Sequence, residues 1–147
     1  MGYYAFITKN RVQECTCYEE TENEYILDKY PNQPEDIVAR LPRFKKDEVL
    51  AICRSFNEVQ LWLANKEDFK VVFEAPDIYK NGVSIRVVKG FLSGFGTQLV
   101  KEGKVVFTKS YVRRDYAIMK ARVFVVDLHY IFKDDLDKFK QHYGWRD

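Results

Sequence analysis

Cysteine is scarce in this chain, three residues in 147, and an odd number does not complete a disulfide framework, which points to a reducing compartment and a cytoplasmic protein. Histidine is scarcer still, with two. Cys15 and Cys17 flank Thr16, and Cys53, His129 and His142 follow at distances that no zinc-ligand pattern uses, so neither a metal nor a cofactor is expected and the thiols read as small buried hydrophobes. No apolar run approaches the roughly 18 residues that cross a bilayer. Met1 to Asn10 carry no basic region followed by an apolar stretch, so secretion is not expected either. Gly2 invites an acylation reading, but Phe6 stands where Ser or Thr is required. Also missing are a Walker loop, a dinucleotide fingerprint and any recognisable Ser or Cys nucleophile motif.

What is present is aromatic and apolar. Eleven Phe and ten Tyr bring aromatics to 16%, and a chain of this length can bury roughly 70% of its unfolded surface. One domain, 1-147, with an aromatic-rich core is expected. Three runs are strand-like, from Val83 to Lys89, from Lys104 to Val112 and from Ala121 to Phe132, because Val, Ile, Phe and Tyr suit a pleated surface; Lys101-Glu-Gly103 supplies a turn. The expected class is α+β: mostly antiparallel sheet, a meander or partly open barrel, with two or three helices packed on it.

Other elements follow from local chemistry. Gly2 to Lys9 and Val12 to Tyr18 form a hairpin about Asn10-Arg11, Glu19 to Glu24 form a solvated loop, and Tyr25 to Leu27 a short apolar run. Pro34 opens a short helix that Pro42 ends, with Glu35 and Asp36 favouring its N-terminus. Val49, Ile52, Cys53 and Phe56 stand at i, i+3, i+4, i+7, the spacing of a helix from Asp47. Val59, Leu61 and Leu63 alternate with polar residues, while the helical period could also continue to Leu63; Asn57, a weak helix former, favours the strand, Phe69 to Glu74 is a further strand, and Asn81-Gly82 turns into the next run. Asp134 to His142 reads as a closing helix ended by Gly144.

Charge is unevenly placed. Eight acids stand against one base between Glu14 and Asp36, and ten bases against two acids between Lys80 and Arg122, an asymmetry that speaks of partners rather than of fold. In the basic region Lys89 is followed by Gly90-Phe-Leu-Ser-Gly-Phe-Gly-Thr97. Glycine allows successive N–H groups to converge on an anion, so Gly94, Phe95 and Gly96 enter the candidate site, beside the plainer reading of a strand connection with bulges. Farther on, Lys109, Tyr111 and Arg113 share one face if the strand continues, with Arg114, Lys120 and Arg122 close behind. Cations that hold phosphate beside an aromatic that stacks on a base suit single-stranded nucleic acid or a nucleotide. The plain alternative is a solvated strand face with salt bridges to the acidic loop.

Two further patterns weigh less. Asp127 and His129 share one face of the expected last strand, but i, i+2 neighbours point in parallel, which favours a structural role over acid–base work. Asp68-Phe-Lys70 and Glu102-Gly-Lys104 match a nuclease-like acid-x-Lys element at about the frequency chance predicts. The sequence therefore points to a non-catalytic binding protein whose basic meander, about 80-122, takes nucleic acid or a nucleotide. A protein-interaction module or small inhibitor, such as phage or mobile elements encode, acting on a protein partner or a second copy through complementary acidic and basic surfaces, is the alternative, and a phosphoester hydrolase the third reading. A strong chelator is expected to change neither the melting temperature nor the circular dichroism; stoichiometric zinc in elemental analysis contradicts that.

Overall fold

Asn10-Arg11 turns the chain as expected, with β1 (Tyr4–Ile7) antiparallel to β2 (Val12–Cys15) and Ile7 opposite Val12. The computed structural model describes residues 2–66 and 68–145, and its backbone divides into two units, one ending at Val59 and the other beginning at Gln60. Both are built on antiparallel sheets, three in all among the described residues and none closed into a barrel.

In the first unit the stretch from Glu19 to Glu24 is a correction to the expected loop. β3 (Tyr18–Glu20) and β4 (Glu24–Leu27) pair across it, and cations offset its acids: Glu19 pairs with Lys29, Glu20 with Lys46 at 3.2 Å and Glu24 with Arg43 at 3.5 Å. Pro34 sits at the N-cap of α1 (Glu35–Val38), and β5 (Arg43–Lys45) adds to the other side of β4.

The helix expected from Asp47 does not form. A 3-10 turn (Lys46–Glu48) leads to β6 (Ala51–Cys53), which pairs with β1 and sets Ile52 opposite Phe6. Tertiary pairing overrides the helical spacing because Val49 and Ile52 thereby reach the cluster around Phe6, whose ring meets Tyr18 edge-on at 5.0 Å and Tyr25 at 5.3 Å. The helix begins later instead: α2 (Phe56–Lys66) takes in Val59 to Leu63, where the sequence favours a strand over a continuing helix. Its signal is Ser55-Phe-Asn-Glu58. The Ser55 hydroxyl accepts from the Glu58 N–H at 3.2 Å, and the Glu58 carboxylate accepts from the Arg54 N–H at 2.8 Å, a close relative of the capping box.

The second unit carries the meander. β7 (Lys70–Ala75), β8 (Val83–Phe91), β9 (Gly94–Lys101) and β10 (Lys104–Tyr111) lie side by side in chain order. Glu102 and Gly103 both take positive φ, 52° and 79°, as a two-residue hairpin turn matched to strand twist requires. The expected third strand, Ala121 to Phe132, is wrong: those residues belong mostly to α3 (Arg114–Tyr130), and β9 is the middle strand in its place. Phe124, Val126, Leu128, Tyr130 and Phe132 do alternate, yet Ala117, Ala121, Phe124 and Leu128 recur at i, i+4, i+7, i+11 and are all buried. The helix wins because its small alanines let the backbone approach the sheet, where Phe124 and Leu128 pack with Ile85, Val87, Leu99 and Phe107. α4 (Leu136–His142) then closes over the same core with Phe139, and Gly144 follows at φ 83°. The opposite sheet face buries a smaller group, Val88, Phe91 and Val105, under Ala64 of α2. No helix among the described residues is long and apolar enough to cross a membrane.

At Gly94 a Cβ would lie 2.4 Å from the Tyr111 carbonyl oxygen, backbone that cannot swing away. Gly94→Ala is expected to lower stability by about 1–3 kcal/mol, read from the urea midpoint; an unchanged midpoint contradicts the close approach.

Candidate functional site

The register of the meander carries one row of side chains across all four strands. Lys70 stands opposite Lys89, Lys89 opposite Phe95 and Phe95 opposite Tyr111. This row lies on the face that α3 covers, as the packing of Phe95 and Tyr111 against that core shows. It sits where the helix begins, so Arg114 at the first helical position closes over it. The Arg114 guanidinium donates to the Val72 carbonyl at 3.5 Å. Val72 is the extra residue of a bulge between the pairs Val71–Val88 and Phe73–Val87. At the sheet's centre the Thr97 hydroxyl donates to the Ala117 carbonyl at 2.9 Å and ties the start of α3 to β9.

Lys70, Lys89 and Arg114 together with Val71, Val72 and Phe95 line a groove of about 390 Å³. Among the described residues no acid lines it and none of the three cations forms an ion pair. The hairpin joining β8 to β9 lies at the same end of the sheet and turns on Leu92 and Ser93, both at positive φ (48° and 65°). A bulky leucine there is strained, and such strain concentrates where a local shape is needed.

The ten candidate residues therefore separate. Lys89, Phe95 and Arg114 come together in the groove. Tyr111 ends the row but turns toward Tyr116, edge-on at 5.2 Å, and Arg113 lies outside it, paired with Asp115 at 2.9 Å. Arg113 does not share a strand face with Lys109 and Tyr111, because β10 ends at Tyr111 and Arg113 is the N-cap of α3. Lys109 donates to the Tyr143 carbonyl at 3.4 Å, Lys120 lies over the Tyr116 ring and Arg122 over the Phe73 ring at 5.3 Å. Gly94 and Gly96 are accounted for by packing: a Cβ on Gly96 would press on Phe91 at 3.0 Å. Lys70 is the residue the sequence reading missed. It stood there only in a chance acid-x-Lys triplet, and nothing short of strand register places it beside Lys89.

Asp127 and His129 do not form a pair. On a helix, residues two apart point to different sides. Asp127 accepts from the Tyr143 hydroxyl. His129 lies flat on Tyr79, ring centroids 4.0 Å apart, with its Nδ1 3.1 Å from Asp134. The Asp134 carboxyl is held below its ordinary range, first by the hydrogen bond that Asn81 donates, against the opposing effect of burial and with help from His129. These contacts join the loop before β8 to the end of α3. Cys15 is buried with Phe6, Leu27 and Phe44, and the Cys17 thiol donates to the Lys29 carbonyl at 3.5 Å.

No protein-family model, curated protein or solved structure matches this chain.

Burial, and secondarily Tyr116, pushes the Tyr111 phenol from 10.0 up to about 12. The unfolded chain then loses this proton before the folded one does, so stability falls as pH rises from 10 toward 12. Tyr111→Phe is expected to flatten that fall, measured as urea midpoints from pH 9 upward; equal slopes for the two proteins contradict the assignment.

Proposed function

We propose that the groove at the start of α3 binds an anionic ligand, a single strand of nucleic acid or a nucleotide, with phosphate held by Lys70, Lys89 and Arg114 and a base lying against Phe95. The observation that carries this is a cavity lined by three cations and one aromatic ring, with no acid among its described lining residues. Arg offers a planar fork to phosphate and Lys a mobile point charge, and both neighbour an aromatic ring. The chemistry asked of the site is binding alone, since no nucleophile or acid–base pair is among its described lining residues. A cytoplasmic setting belongs to the same reading, because Cys15, Cys17 and Cys53 are all free thiols.

The test is a titration of labelled single- and double-stranded oligonucleotides, and of nucleotides, at several salt concentrations. Three phosphate contacts to a single strand give a slope of log affinity on log salt near −0.7 × 3, or about −2. Lys89→Ala or Arg114→Ala is expected to shallow it by about 0.7 each, whereas Arg113→Ala, already paired with Asp115, leaves it nearly unchanged. Phe95→Ala is expected to lose roughly 1–3 kcal/mol of affinity at an unchanged slope, with thermal melts to separate this from loss of packing. No binding of any of these ligands at low salt rules the reading out.

A further inference from the structure

The two lysines of the groove stand in an arrangement that sheet stability alone does not favour. Lys70 and Lys89 are direct partners across β7 and β8, and directly opposed residues keep their Cβ atoms only about 4.5–5.5 Å apart, which destabilises a sheet when the charges are alike. Both side chains are exposed, and among the described residues neither finds a carboxylate. Arg114 adds a third positive charge to the same groove. Its bond to the Val72 carbonyl at 3.5 Å occupies one of the five donors of a guanidinium and leaves the others for a ligand. Stacking surface, in contrast, is limited. Phe95, directly opposite Lys89, is the one aromatic among the described lining residues, because Tyr111 at the end of the row turns toward Tyr116. From Lys70 to Phe95 the row spans two strand spacings, about 10 Å. One ring takes one base, and one base brings one phosphate.

We infer, resting on the anionic-ligand reading of this groove, that it takes a terminal phosphate: the phosphomonoester of a free nucleotide or of a strand end, in preference to the diester inside a strand. Charge separates the two. A diester carries a single negative charge on two unbridged oxygens, which leaves most of the positive charge of Lys70, Lys89 and Arg114 unanswered. A phosphomonoester carries about −1.5 to −2 at pH 7 and offers three acceptor oxygens, one for each cation. The opposed ammonium groups then share one partner, and charge-assisted hydrogen bonds to it replace their mutual repulsion. The base of the same nucleotide lies against Phe95, one strand farther along the row.

Ligand pairs that differ only in that group test this: one labelled oligonucleotide carrying a 5′-phosphate, a 3′-phosphate or hydroxyl ends, and adenosine 5′-monophosphate beside its 3′,5′-cyclic diester. The monoester is expected to bind at least about tenfold more tightly than its hydroxyl or cyclic counterpart, and the arm that gains identifies the free nucleotide or the strand end as its source. That advantage should shrink between about pH 7.5 and 5, as the phosphate takes up its second proton near pH 6. The groups that face it are Lys70 from β7, Lys89 from β8 and Arg114 from α3, with no histidine or carboxyl group among the described lining residues. Lys70→Ala with Lys89→Ala should remove most of the advantage, with a melting point unchanged or raised because two opposed like charges are gone. Equal affinity for phosphorylated and hydroxyl-ended ligands overturns the inference and leaves the groove reading standing, whereas no binding of any of them at low salt defeats both. An advantage that survives the loss of both lysines, or that ignores pH, overturns it as well.

Discussion

Strand register in the four-stranded meander is the constraint on which the rest of the second unit depends. Each strand pair contains one irregularity, at Val72 in β7, Gly90 in β8 and Val106 in β10. Because side chains alternate between faces, one extra residue transfers everything beyond it to the other face. Lys70 and Phe73 are three apart and would face opposite ways in a regular strand; the bulge at Val72 puts both on the side of α3. The irregularity in β10 does the reverse for Val105 and Phe107, which belong to the two different cores. A regular meander of the same composition would have neither the basic row nor a filled core on each face.

The groove inherits its character from this arrangement. Sheet register brings two lysines and a phenylalanine into line, and the start of α3 adds an arginine, held to the carbonyl that the bulge turns outward. Their mutual repulsion is tolerated because the side chains are exposed and screened, and an anion removes it. α3 thus has two duties: its alanine face closes the core and its first residue completes the groove. In the first unit the chemistry is different. Three of the acids there, Glu19, Glu20 and Glu24, are paired with nearby cations, and an aromatic cluster around Phe6 holds the two small sheets together.

Residue chemistry alone was enough for the α+β class, for the first hairpin, for the strands that became β7, β8 and β10, and for the closing helix, because β-branched runs bounded by Asn-Gly, Glu-Gly and Asn-Arg turns allow little else. It was enough, too, to mark Lys89, Phe95 and Arg114 as members of a basic, aromatic-bearing region. It failed where two periods coexist. From Ala121 to Phe132 apolar residues occupy both faces of a helix, one for the sheet and one exposed, and such a segment reads equally as an alternating strand. The same ambiguity exchanged helix for strand between Asp47 and Leu63, where a free edge on β1 recruited Ile52 and the Ser55–Glu58 cap started the helix late. Tertiary structure alone decided that Lys70 joins Lys89, that Lys109, Lys120 and Arg122 are spent on aromatic rings, and that Asp127 and His129 part company. Those outcomes rest on bulges and on which face of a helix meets the sheet, and both are settled by packing between segments distant in the chain.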